Sequence, residues 1–290
     1  MIQRRIEKIS ALNYKTGFLG AGHRSAQIVG QQGFGNTNPF IVLMDDHLDL
    51  SGTEALGGPH PHAGVEIYTF LLDGKSGVTE KGTLELMTAG KGVIHTEELK
   101  GKVQARVFQL WVTLPEEKRG AEPFLQRIDF KNVPTLITDD SQIRVYAGSA
   151  YGLTSPLRSN TPLTIVDFYL SANATTRQFL PASYNGFIVV TEGSVFIGSS
   201  RLRQGETAWL NRTDGDSISE IIYQTGSEAV RFIFYAGEPQ KGNFFANGPF
   251  VSGSQEEIAT LYQKYRNGEM KHIKEYPLTD FTTGKGETMN

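Results

Sequence analysis

Residues 68–74 read YTFLLDG and residues 188–193 read IVVTEG, each an apolar run of aromatic and β-branched side chains closed by an acid and a glycine. A pleated, half-buried surface selects such runs, and the acid–glycine pair supplies a turn. Outward from these two, the same pattern repeats in FIVLM (40–44), VEIYTFLL (65–72), TLELMTAG (83–90), ARVFQLWVTL (105–114), QIRVYAG (142–148), LTIVDFYL (163–170), GFIVVTEG (186–193), TAWL (207–210), ISEIIYQT (218–225) and RFIFYAG (231–237). Short strands at this spacing predict an all-β sandwich or barrel. A second echo, GTLELMTAGKG (82–92) against RLRQGETAWL (201–210), points to a duplicated unit.

A chain of 290 residues suits two modules of about 145 residues each. The polar, proline-flanked PEEKRGAEPFLQ (115–126), followed by PTLITDD (134–140), places the expected boundary at 133/134, giving modules 1–133 and 134–290. Near the end, Ser254 and Glu257 form a capping signature. Ile258, Leu261, Tyr262 and Tyr265 follow at helical spacing and Gly268 stands ready to close the turn, so a helix is predicted over 254–267.

Composition narrows the function. Cysteine is absent, which removes disulfides, thiolate nucleophiles and cysteine-ligated zinc. The net charge of −3 with no basic cluster argues against direct nucleic-acid binding. No apolar run is long enough for a membrane span, and charges at Arg5, Glu7 and Lys8 interrupt any signal-peptide core, so a cytoplasmic location is expected.

Of six histidines, two stand one residue apart in GGPHPHAGVE (57–66) and a third lies in GKGVIHTEE (90–98). Side chains two apart on a strand share a face, so His60 with His62, and His95 with Glu97, read as two claws that could meet across a barrel. Three imidazoles and a carboxylate suit Fe, Mn, Ni, Cu or Zn and leave room for further ligands on a metal that prefers six. Glu66 shares strand parity with His60 and His62 and is the competing fourth ligand, whereas Glu98 points away and reads as structural or as a support to the ligands. His47, in MDDHLDL (44–50), reads as part of a solvated acidic turn, and His23 and His272 are given no role. Phe40, Met44, Phe70, Met87, Phe108 and Leu110 are core positions that could also line a pocket. Trp111 and Trp209 read as core, and Asn185-Gly186 as a turn.

HPH (60–62) with G-x-E (64–66), MTAGKGVIHTE (87–97), FQLWVTLP (108–115) and GPFV (248–251) before a capped helix resemble, in this order, the pirin family of bicupins. The resemblance implies two tandem cupin (double-stranded β-helix, jelly-roll) barrels with a short C-terminal helix. It also implies a mononuclear Fe(II) in the first barrel and loss of the metal site from the second. No histidine occurs between His95 and His272, as that loss would require. The family's ligands carry over to His60, His62, His95 and Glu97. Some pirins open the flavonol quercetin with dioxygen and others bind transcription factors or metabolic enzymes. The resemblance therefore implies either a dioxygenase acting on a chelating aromatic and O2, with Glu97 or Glu66 as base, or an iron-binding regulatory module with a protein partner. Two departures, Ala63-Gly64-Val65 after H-P-H and a short segment between Gly74 and Met87, imply a differently shaped pocket mouth.

Overall fold

The computed structural model describes residues 1–51, 57–76, 79–97, 99, 102–281 and 287–289. Their regular structure is mostly strand, with one long helix, Gln255–Arg266. The chain forms two compact units. One, here the histidine-bearing unit, comprises Asn13–Asn132 with Gln240–Asn290; the other, the apolar unit, comprises Met1–Leu12 with Val133–Pro239. The body of the chain thus divides at residue 132/133, but its two ends are exchanged relative to a cut at 134. The first twelve residues join the later unit, and the helix joins the earlier one.

Each unit is built on the same antiparallel run of five strands. In the histidine-bearing unit the order is Leu84–Thr88, Val65–Ser76, Val103–Thr113, Phe40–Leu50 and His23–Val29. In the apolar unit it is Glu206–Leu210, Asn185–Glu192, Val230–Gly237, Leu163–Leu170 and Ser141–Ala147. The sequence echoes fall on equivalent positions. Gly74 and Gly193 are both left-handed, and a Cβ on either would strike the carbonyl oxygen of Gln104 or Ala229 at 1.9 or 2.1 Å. Each follows a register shift that sets Asp73 opposite Arg106 and Glu192 opposite Arg231. Those arginines then reach diagonally to a buried aspartate. Arg106 forks onto Asp45 at 3.0 and 2.7 Å, and Arg231 onto Asp167 at 3.0 Å twice. Gly82 and Gly205 likewise donate to the carbonyls of Leu71 and Val190.

The exchanged ends follow from the same alignment. Strand Phe124–Ile128 covers the edge of Leu84–Thr88 in one unit, and Ile6–Ala11 covers the edge of Glu206–Leu210 in the other. An open edge would present unpaired amides to solvent, and the N-terminal strand closes it. Arg4 secures that strand from within: its buried guanidinium donates to the Ser219 hydroxyl and to the carbonyls of Asn211, Pro181 and Tyr184. The helix is capped as the sequence predicts, the Ser254 hydroxyl accepting from the Glu257 amide at 3.2 Å and Gly268 taking a left-handed φ of 71°. Ile258, Leu261 and Tyr262 pack with Phe250 and Met270.

Two local expectations are corrected. MDDHLDL lies within strand Phe40–Leu50 and is no turn; Asp45 is buried, bonded to Arg106 and the Tyr14 hydroxyl, with His47 at 3.4 Å. Pairing to Arg106 supplies the charge compensation that lets an acidic run enter a sheet. Asn185-Gly186 is buried at the start of strand Asn185–Glu192, opposite Gly237 and Ala236.

Candidate metal centre

His60–His62 and Val93–His95 are short antiparallel strands that form a two-stranded sheet, His95 opposite His60 and Val93 opposite His62. This pairing gathers the three imidazoles: ring centroids lie 5.1, 4.3 and 4.9 Å apart, and the three rings can each offer a nitrogen within 4.8 Å of the others. His60 Nδ1 lies 2.9 Å from the Gly58 carbonyl, which can only accept, so that nitrogen donates, and in the neutral ring Nε2 is the free lone pair. Nε2 in turn lies 2.8 Å from His95 Nε2. An imidazole that donates its far N–H to a backbone carbonyl is oriented as metal-ligating histidines are. Burial, then the neighbouring rings, depresses His62 to a pKa of about 2 and His95 to about 3. Both are neutral at ordinary pH, the state a metal requires.

The C-terminal segment holds both strands from behind. Ala63 forms a parallel bridge with Phe250 and accepts from the Val251 amide at 3.0 Å, while the Ile94 amide donates to the Lys271 carbonyl at 2.9 Å. His272, predicted to have no role, caps a short turn and bonds through Nε2 to the Thr96 hydroxyl at 2.9 Å, between His95 and Glu97. Nothing in the sequence near His60 or His95 announces this partner; only the return of the chain reveals it.

Strand Val93–His95 ends before Glu97, so the second claw is not a strand relation. Glu97 lies outside the three-nitrogen group, its carboxylate accepting from the Gln109 amide. Burial raises its pKa; His60 and Gln109 pull it down, and the carboxylates of Asp46 and Glu85 push it up. Glu66 is not brought to the histidines. Gly64, left-handed with its Cα pressed on the Val251 carbonyl, breaks the parity between His62 and Glu66. The Glu66 carboxylate is buried under the hydroxyls of Tyr68 and Thr88, each at 3.1 Å. Glu98 lies outside the described residues.

Register separates the two faces of the sheet. Ile67, Met87 and Trp111 share one, continued by Thr69, Glu85, Gln109, Met44 and Asp46; His62 meets the Trp111 ring edge-on at 4.6 Å on this side. Most of these residues are half-buried. Phe40, Phe70, Phe108 and Leu110 occupy the other, fully buried face with Glu66. Met44 and Met87 therefore share the face of Trp111 and the four others lie on the opposite one; Met87 belongs to a core cluster against which Trp111 packs, as expected, while Trp111 also meets His62. Polar pairs complete the wall: Glu85 with Arg127 at 2.7 Å, and Asp46 with His23 at 2.8 Å and Ser25 at 2.5 Å.

The equivalent positions of the apolar unit carry Phe168 for Asp46, Ile188 for Thr69, Ala208 for Glu85 and Phe234 for Gln109, by the register of the paired strands. These side chains fill that interior as one hydrophobic core, and Trp209 is buried as expected.

Comparison with known proteins agrees with this architecture. Residues 22–112 match the pirin family model and residues 165–271 the model of the pirin C-terminal cupin domain. A pirin-like protein of Arabidopsis thaliana is 31% identical over 283 residues, covering 91% of this chain and 89% of the relative. Human pirin is 31% identical, covering 86% and 89%. A crystal structure described as quercetin 2,3-dioxygenase from Acinetobacter baumannii superposes with a TM-score of 0.80 at 25% identity, covering 93% of this chain and 99% of that one. Among the described residues, no helix is long and apolar enough to cross a membrane.

Proposed function

The chain belongs to the pirin family, and from that premise we propose that it is a metal-dependent dioxygenase that opens a flavonol, or a related chelating aromatic, with O2. The observation that carries this reading is the convergence of three imidazoles, two of them held neutral by burial, beside a half-buried sheet face. His60, His62 and His95 would hold the metal, with Glu97 completing the set; Fe(II) is the proposed occupant, and the same donors suit Mn, Ni, Cu or Zn. When bound, the metal would lower the pKa of a chelating hydroxyl and supply one-electron chemistry toward O2.

The chain's own residues supply the rest. Ile67, Met44, Met87 and Trp111 offer an apolar wall to a planar ring, and Thr69, Gln109 and the Glu85–Arg127 pair offer bonds to its hydroxyls. Glu97, held by Gln109 and raised by burial, is a stronger base than a solvated carboxylate and takes the substrate hydroxyl proton. Its neighbours Asp46 and Glu85 favour the protonated form that results.

The test is anaerobic loading with Fe(II), Mn(II), Ni(II) or Cu(II), followed by oxygen uptake with quercetin. Consumption of O2 in step with loss of the flavonol spectrum, abolished in His62→Ala, is expected. Stoichiometric metal with no uptake would replace this reading with that of a metal-binding regulatory module for a protein partner.

A further inference from the structure

The apolar unit has a cavity of its own, of about 210 Å³. Leu136, Ile143, Leu170 and Ala174 form its apolar lining, and Tyr151, Thr176, Thr138 and Asp140 bring polar atoms to it. A dry apolar cavity of about 150 Å³ accepts a benzene ring, so this one has room for a single ring with a small substituent. By the register of the paired strands, Ser141, Ile143 and Leu170 here stand where His23, Ser25 and Leu48 stand in the histidine-bearing unit. The cavity thus occupies the end of its barrel that carries the polar His23–Asp46 pair in the other.

Two features go beyond an accidental hollow. Ala150 pairs with Leu153, so Tyr151-Gly152 is a two-residue hairpin loop, with φ of 53° and 75°. Such a loop favours Asn, Asp or Gly at its first position, and a bulky aromatic there is an outlier. The Tyr151 ring nevertheless lines the cavity, 5.9 Å from Phe168, with its hydroxyl 3.1 Å from that of Thr176. Tyr223 stands directly across from Thr176 on the neighbouring strand, and so on the same face as that cavity-lining residue. Tyr223 is fully buried, and its hydroxyl has no hydrogen-bond partner among the described residues. Burial first, and then the adjacent Tyr151, raises its phenol well above the ordinary value, so the group remains a neutral donor and acceptor.

We propose that this cavity is a second binding site, separate from the histidine cluster, for a small neutral phenol. Its ring lies against the apolar lining and beneath Tyr151, and its hydroxyl, entering beside Thr176, completes the missing bond of Tyr223. Asp140 in the lining disfavours an anionic ring such as benzoate, and the lining hydroxyls of Tyr151 and Thr176, with the unpartnered Tyr223 across from Thr176, favour phenol over benzene.

The experiment is methyl-resolved NMR of the full chain titrated with phenol, benzene and benzoate. Saturable shifts at Ile143 and Leu170 are expected with phenol, severalfold weaker binding with benzene, and none with benzoate. Ala174→Leu fills the cavity and Tyr151→Asn removes the ring while suiting the turn; both should abolish or strongly weaken the phenol response. Tyr223→Phe should weaken phenol severalfold without weakening benzene, and His62→Ala should change nothing. Absence of saturation with phenol, equal binding in Tyr151→Asn, or loss of the shifts in His62→Ala would each overturn the proposal. Because Tyr151→Asn is compatible with the hairpin, a failure of Ala174→Leu to fold leaves the test intact.

Discussion

At the scale of single residues, His62 and His95 couple the candidate centre to pH. Their folded pKa values lie near 2 and 3 against an ordinary 6.5. Between those limits the unfolded chain binds protons that the folded one does not, so metal-free protein loses stability as pH falls below about 6.5, by about 1.4 kcal/mol per pH unit for each histidine. Urea unfolding of chelator-treated protein at pH 7, 6 and 5 measures the slope; in His62→Ala one of the two contributions should vanish. Glu97 is tested through turnover. Replacing it by Gln removes a base without changing its shape, and oxygen uptake with quercetin should fall by about 10²- to 10⁴-fold. Glu66→Gln, on the opposite face, should leave uptake within a factor of two or three while lowering the melting temperature, since its carboxylate accepts from two buried hydroxyls. The histidines were legible in the sequence because H-x-H carries a geometric meaning that survives without neighbours. The competition between Glu66 and Glu97 was not, because it turns on a left-handed Gly64, which strand parity cannot see.

At the scale of elements, duplication is the organising fact, and the matched Asp–Arg forks are its sharpest sign. Asp45–Arg106 and Asp167–Arg231 sit at equivalent places in the two strand runs, each aspartate almost wholly buried. Removing one member strands the other charge away from water. Asp167→Ala should therefore destabilise the apolar unit by about 3–5 kcal/mol, whereas a double replacement of Asp167 and Arg231 by Leu and Met should cost far less. Chemical denaturation of the single and double variants distinguishes a fork that stabilises from one that only specifies register. The acid–glycine echo exposed this duplication, since the glycine is demanded by close approach to the facing strand. The forks themselves were hidden, because partners more than 60 residues apart leave no local period to read. MDDHLDL misled for the same reason: its acids look solvated until Arg106 is seen to face Asp45.

At the scale of the whole chain, what decides each unit is which end of the polypeptide completes it. Local pattern suggested a boundary near residue 134, since strand periodicity and the polar 115–126 stretch are local signals. It could not assign the termini, because sheet-edge pairing is satisfied by whichever segment returns to it. The consequence for the candidate centre is specific. All three histidines lie before residue 96, yet among the described residues the strands that carry them join no larger sheet and are held by Pro249–Val251 and Lys271–His272. Ala63 and Ile94, each adjacent to a histidine, pack into the cluster formed by Phe250, Ile258 and Met270. A chain ending at residue 239 keeps His60, His62 and His95 but should lose metal binding. A chain lacking residues 1–12 should keep its metal while losing stability in the apolar unit, because Arg4 and strand Ile6–Ala11 go with them. Metal content by elemental analysis, read beside urea unfolding of each truncation, checks both halves. Full metal retention in the 1–239 chain would mean that the paired strands organise the imidazoles unaided, and that the C-terminal segment only shields them.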